Sequence, residues 1–125
     1  MPSGLILIIE DDEEMISLGT LILEKEDYEV VSATSGPAGL EMARSHHPDL
    51  ILLDIMIDGK DGWEVLEILK SDGEISDIPV VMLSARHYLE DEEETASHAD
   101  RFAGYIVKPF VVSELVDQVN RVMSS

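Results

Sequence analysis

Short runs in which every position is apolar alternate along this chain with longer stretches in which apolar residues recur at helical spacing. Leu5-Ile6-Leu7-Ile8-Ile9 is apolar on both faces and rich in β-branched side chains, which predicts a strand buried on both sides. A helix follows, carrying Met15, Leu18, Leu21 and Ile22, with Asp11 or Asp12 as its cap and Glu13 and Glu14 suited to its positive end. Gly19 in its middle predicts a close approach to the sheet. Tyr28 to Ser32 reads as a shorter, more exposed strand. The next helix has Thr34 or Ser35 as cap, Pro37 in its first turn, and Gly39, Leu40 and Ala43 inside. Leu50 to Leu53 is a third strand, apolar on both faces and ending at Asp54. The connection Asp58-Gly59-Lys60-Asp61-Gly62 leads to a helix with Val65, Leu66 and Leu69 inside. A fourth strand, Ile78 to Leu83, ends at Ser84, with Pro79 at or before its first pairing position. One poorly bounded helix is expected within 86–103. Tyr105-Ile106-Val107 is a short fifth strand ending at Lys108, and the last helix carries Val112, Leu115, Val116, Val119 and Val122.

Strands and helices in strict alternation, with two all-apolar central strands, predict an α/β fold: a doubly wound parallel sheet covered by helices on both faces. The length of 125 residues fits one domain over 1–125. Apolar residues make up 45% of it, which argues for a packed core in spite of the charge. Twenty-seven acids against eight bases leave a formal charge of −19, which tells against direct binding to a nucleic-acid backbone. The absence of cysteine excludes disulfides, thiolate metal sites and cysteine nucleophiles. No apolar run is long enough for a signal segment or a membrane span, so the expected setting is cytoplasmic, without membrane insertion.

Open α/β sheets carry their chemistry beyond the carboxyl ends of the strands. In this chain those ends deliver Glu10, Asp11 and Asp12 after the first strand, Asp54 after the third, Ser84 after the fourth and Lys108 after the fifth. Any one of them alone is an ordinary cap or turn residue; their joint placement is the signal. Clustered carboxylates without histidine or thiolate suit a hard divalent cation, magnesium above all. Such an ion, a lysine, a hydroxyl and a central aspartate make a phosphoryl-transfer site with the aspartate as nucleophile. His46, His47, His87 and His98 lack metal-site spacing. Trp63 reads as a partly exposed packing residue, and the run Glu90 to Glu94 as a solvated face that leaves room for a docking role.

Leu7-Ile8-Ile9-Glu10-Asp11-Asp12, Pro48-Asp49-Leu50-Ile51-Leu52-Leu53-Asp54, Asp61-Gly62, Val81-Met82-Leu83-Ser84-Ala85 and Tyr105-Ile106-Val107-Lys108-Pro109-Phe110 occur in this order across the whole chain. Together they resemble the receiver domain of two-component response regulators, the chemotaxis-protein-like family. The resemblance implies strand order 2-1-3-4-5 and a phosphoacceptor role for Asp54. It also implies a magnesium site, in which manganese can substitute, formed by Asp11 directly, Asp54, Glu10 nearby or through water, and the backbone carbonyl of Met56. Ser84 is the implied phosphoryl-contacting hydroxyl, Tyr105 the aromatic switch, Lys108 the lysine that pairs with the acids and then the phosphoryl oxygens, and Pro109 the proline after a cis peptide bond. The implied partners are a sensor histidine kinase or phosphotransfer protein as donor, and a downstream protein or output domain. Magnesium-dependent self-phosphorylation and autodephosphorylation are implied rather than conventional turnover. Asp58 stands where family members commonly have proline. The 24 residues from Ser84 to Lys108 make that connection longer than usual, and Val111 replaces the usual capping residue, leaving Ser113 or water to serve the last helix. A haloacid-dehalogenase-like hydrolase would want a second aspartate two residues after the nucleophile, where Met56 stands. A scaffold that is never phosphorylated is disfavoured by the intact acid, hydroxyl and lysine set. A flavodoxin-like cofactor domain would want a phosphate-cradling loop after the first strand in place of acids.

Overall fold

The computed structural model describes residues 4–57, 60–84, 101–108 and 111–124. Residues 86–100 of the segment 86–103 in which a helix is expected, with the acidic run at 90–94, His87 and His98, lie outside the described residues, as do Asp58 and the cis peptide expected at Pro109.

The chain runs β1 (Gly4–Ile9), α1 (Glu13–Lys25), β2 (Tyr28–Ala33), α2 (Gly36–His46), β3 (Leu50–Asp54), β4 (Met56–Ile57), β5 (Lys60–Asp61), α3 (Gly62–Ser71), β6 (Val80–Ser84), β7 (Gly104–Val107) and α4 (Val112–Met123). Five strands form one parallel sheet in the order β2-β1-β3-β6-β7. This is the doubly wound order 2-1-3-4-5 of the sequence reading, counting the main strands alone. A two-residue antiparallel hairpin, β4 against β5, interrupts the connection after Asp54. The sequence predicts only a connection here, because strands of two residues carry no periodicity.

Alternation along each strand divides the apolar side chains between two cores. Leu7, Ile9, Ile51, Leu53, Val80 and Met82 face α2 and α3, against Leu40, Ala43, Val65, Leu66 and Leu69. Ile6, Ile8, Leu50, Leu52, Val81 and Leu83 face the other way, against Ile22 and Leu23 of α1 and Leu115 and Val119 of α4. Each Leu or Ile so buried stabilises the fold by roughly 1.5–3 kcal/mol. The edge strands β2 and β7 retain half-buried or exposed positions, as expected where only one side is paired. Pro79 sits just before β6, where its missing donor costs no ladder bond. A methyl group added at Gly39 would lie 2.5 Å from the Ile9 side chain, so α2 rests so closely on β1 that any larger residue would force Ile9 to shift.

The caps follow the sequence where a polar side chain was present. Asp12 caps α1, accepting from the Glu14 and Met15 amides at 2.9 and 3.4 Å, and Ser35 caps α2 through the Ala38 amide at 3.2 Å. Val111 makes no side-chain cap for α4, as its apolar side chain dictates. Three expectations are corrected. Leu21 is exposed and Leu23 takes the inner position, because the face of α1 is phased on Gly19, Ile22 and Leu23. Val112 is exposed, since α4 turns Leu115 and Val119 inward. Trp63 is buried, only 4% exposed, and belongs to the α2–α3 core.

Candidate functional site

Glu10, Asp54 and Lys108 are each held by a backbone bond at the end of its strand. The Glu10 amide donates to the Ala33 carbonyl at 3.0 Å, carrying the β1–β2 ladder beyond Ile9. Asp54 pairs with Leu83, and the next amide, that of Ile55, donates to the Leu83 carbonyl at 2.8 Å. The Lys108 amide donates to the Ser84 carbonyl at 2.7 Å. Side chains at positions 10, 54 and 108 therefore project from the same edge of the sheet with little backbone freedom.

There they meet. Lys108 Nζ donates to Glu10 Oε2 at 2.9 Å and Oε1 at 3.3 Å, and to Asp54 Oδ2 at 3.0 Å. Asp54 Oδ1 accepts from the Met56 amide at 3.1 Å, and Glu10 Oε1 accepts from the Asp12 amide at 3.2 Å. Glu10, Asp54 and Ser84 are the buried polar or charged side chains among the described residues. Asp11 is exposed at the rim, and carboxylate oxygens of Glu10, Asp11 and Asp54 lie within 4.8 Å of one another.

The electrostatics follow from burial. Desolvation pushes the Glu10 carboxyl from its ordinary 4.5 up to about 7; the Lys108 hydrogen bond opposes the rise and the Asp54 charge adds to it. Burial works to depress Lys108, but its hydrogen bonds to Glu10 and Asp54, with their charges, outweigh it and hold the ammonium above its ordinary range. Fully ionised, three carboxylates and one ammonium leave an excess of two negative charges in a site buried except at the Asp11 rim. A hard divalent cation matches that excess in charge, and an all-oxygen donor set matches it in chemistry. The residues present fit such an ion.

Of the other predicted residues, Ser84 ends β6 buried beside Lys108, and Tyr105 is half-buried on β7 opposite Met82. Met56 turns its amide toward Asp54 and its side chain to solvent. His46 and His47 are exposed at the end of α2, away from this cluster. Sequence reasoning missed two backbone contributions: the Met56 and Asp12 amides, which orient the Asp54 and Glu10 carboxylates. The sequence alone places Gly62 in the connection before a helix and in the Asp61-Gly62 motif, without a structural role. A methyl group there would lie 2.1 Å from the Asp54 carbonyl oxygen and 2.8 Å from that of Ile55, to which the Gly62 amide donates. With Asp61 capping α3 through the Trp63 amide at 2.9 Å, Gly62 seats the start of α3 directly on the backbone of Asp54 and Ile55. A glycine at a predicted helix start was the available signal.

Residues 6–120 match the model of the response regulator receiver domain. The chain is 36% identical over 118 residues to the heme response regulator HssR of Staphylococcus epidermidis; the match covers 94% of this chain and 50% of HssR. It is also 36% identical over 114 residues to the polar-differentiation response regulator DivK of Brucella ovis, covering 91% of each. The chain thus spans about half the length of HssR and nearly all of DivK. Among solved structures, the N-terminal domain of a response regulator receiver protein from Methanoculleus marisnigri superposes with a TM-score of 0.80 at 34% identity, covering 98% of both chains. The receiver domain of a signal transduction histidine kinase from Syntrophus aciditrophicus gives 0.83 at 26% identity, over 97% of this chain and 90% of that one.

Proposed function

Because this chain belongs to the response regulator receiver domain family, we propose that it accepts a phosphoryl group on Asp54 from a histidine kinase or phosphotransfer protein and thereby changes its protein contacts. The single observation that carries this reading is the convergence of Lys108 on the buried carboxylates of Glu10 and Asp54 at the strand ends. The receiver unit is taken as the whole of 1–125.

In this reading an Asp54 carboxylate oxygen attacks phosphorus. The phosphorus–nitrogen bond of a phosphohistidine breaks, and its electron pair returns to the imidazole; with an acyl phosphate, a carboxylate leaves instead. The Met56 amide holds the plane of the Asp54 carboxylate, leaving little reorganisation for the attack. Lys108, already on Asp54, offers its ammonium to the phosphoryl oxygens, and Glu10 keeps that ammonium charged and aimed. Ser84 donates its hydroxyl to the phosphoryl group, and the Tyr105 ring moves with it. Glu10, Asp11, Asp54 and the Met56 carbonyl would hold Mg2+ or Mn2+, which supplies charge neutralisation of the phosphoryl oxygens when bound. Hydrolysis runs through the same residues: water forms the new bond to phosphorus, the acyl phosphate bond breaks, and the Asp54 carboxylate is restored. The new charge and acceptor oxygens at Asp54 then bias the surface that neighbours β7. No helix among the described residues is long and apolar enough to cross a membrane, and we place the domain in the cytoplasm, beside a kinase donor and a protein target.

The test is intact-mass measurement after incubation with Mg2+ and a small acyl phosphate. One labile phosphoryl group is expected, mapping to Asp54 and absent in Asp54→Asn. Labelling elsewhere, or none with excess donor, would overturn the reading.

A further inference from the structure

Two contacts, independent of the acidic site, lace α3 to the residues that lead into β7. Glu67 of α3 forms an ion pair with Arg101. Four residues earlier on α3, Trp63 packs on Phe102, with ring centroids 5.7 Å apart and planes tilted by 50°. Phe102 in turn packs on Tyr105, at 6.4 Å and 54°. Both pairs have the tilted geometry that aromatic quadrupoles favour. Phe102 is thus the middle ring of three, half-buried against the α2–α3 core, between a buried tryptophan and a half-buried tyrosine.

The outer rings are attached to opposite ends of the proposed chemistry. Trp63 follows Gly62, which rests against the Asp54 carbonyl and donates to that of Ile55. Tyr105 lies three residues before Lys108 on β7. Close-packed interiors respond to displacement of one ring by repacking its neighbour rather than by leaving a gap. Trp63, locked in the core, has no solvent into which to relax.

We propose that Phe102 is a positioning residue that couples the ring of Tyr105 to Trp63, so that phosphorylation of Asp54 is registered at the start of α3 as well as on β7. This rests on the phosphoacceptor reading above. It adds a path that neither the acidic site nor the hydroxyl of Ser84 requires.

Trp63 is the sole tryptophan of the chain, so its emission reports this path without ambiguity. The experiment uses the full chain with Mg2+ and a small acyl phosphate. Phosphoryl stoichiometry is read by intact mass and Trp63 emission is compared between the Mg2+-bound and phosphorylated forms. Wild type is expected to change its emission on phosphorylation. Phe102→Leu, which keeps apolar bulk and removes the ring, should reach the same stoichiometry and lose most of that change. Phe102→Tyr should restore it. Tyr105→Leu should lose it equally, and the double variant should lose no more, because the rings act in series. A full emission change in Phe102→Leu at normal stoichiometry, an additive double variant, or a phosphorylated wild type with unaltered emission would each overturn the coupling while leaving the phosphoacceptor reading intact. Absence of a phosphoryl group on wild type would overturn that reading, and the coupling with it. Should Phe102→Leu fail to fold, Phe102→Met, which also keeps apolar bulk and removes the ring, takes its place: loss of the emission change at normal stoichiometry is expected, and a full change would overturn the coupling.

Discussion

Two ion-paired regions of this molecule use nearly the same distances and have different physics. Arg44 meets Asp72 at 2.8 Å on the surface, with side chains 47% and 22% exposed. Lys108 meets Glu10 and Asp54 at 2.9 and 3.0 Å, and those side chains are 14%, 1% and 5% exposed. At Asp72 the guanidinium hydrogen bond, helped by the Glu74 amide, holds the carboxyl below its ordinary 3.8, while water and salt screen most of the pair's attraction. At Glu10 burial outweighs the attached ammonium and drives the carboxyl up to about 7. Contact distance therefore does not rank these pairs. What ranks them is how much water each charge has given up, and whether opposite charge replaces it. The surface pair is complete. The buried cluster has more acid than base and gains from a further cation.

The comparison breaks most decisively at Lys108. Lys108→Met keeps the buried stem and removes the charge, leaving two buried carboxylates without their ammonium. Above pH 7 and without divalent cation, a loss of about 3–5 kcal/mol in denaturant unfolding is expected. Added Mg2+ should recover part of it. A loss too small to separate from that of Arg44→Ala would show that burial does not govern this cluster. A smaller, signed effect is expected from Glu10. Its folded value lies above its ordinary one, so the stability it contributes is full below about 4.5 and is lost as the pH rises through about 7. The stability difference between wild type and Glu10→Gln should therefore fall across that window, and saturating Mg2+ should flatten the fall. A metal-free difference that rises with pH would place the raised group elsewhere. The smallest effect belongs to Arg44→Ala: a midpoint shift several-fold below that of Lys108→Met, vanishing in high salt. A large, salt-insensitive shift would mean the surface pair does more than its exposure allows.

Much of this was legible in the chain because the sheet is parallel. Crossover helices cover both faces, so the central strands are uniformly apolar and the first polar residue after each marks the edge where chemistry collects. Glu10, Asp54, Ser84 and Lys108 were readable for that reason. Tyr105, Met56 and Pro109 entered only through family resemblance, since nothing in their spacing singles them out. The β4–β5 hairpin was illegible because it is shorter than any period. Leu21 reads with the apolar residues of α1 and Leu23 does not, because adjacent apolar residues leave the phase of a helix open by a fraction of a turn. Beside Gly62, Trp63 reads as partly exposed, yet the seating of α3 on Asp54 and Ile55 carries it inward. Phe102 gave no signal, because its partners are distant in sequence and lie on other elements.

That seating has a mechanical consequence. A Cβ at Gly62 would overlap the Asp54 carbonyl oxygen at 2.1 Å, so the bare backbone of Gly62 acts as a gauge between helix and strand. Any side chain at position 62 would serve as a spacer, pushing the two apart without altering a charge, a hydroxyl or a ligand. The backbone that carries Asp54 is thus held partly by a residue that contributes no functional group, and a single methyl is the smallest change that would displace it.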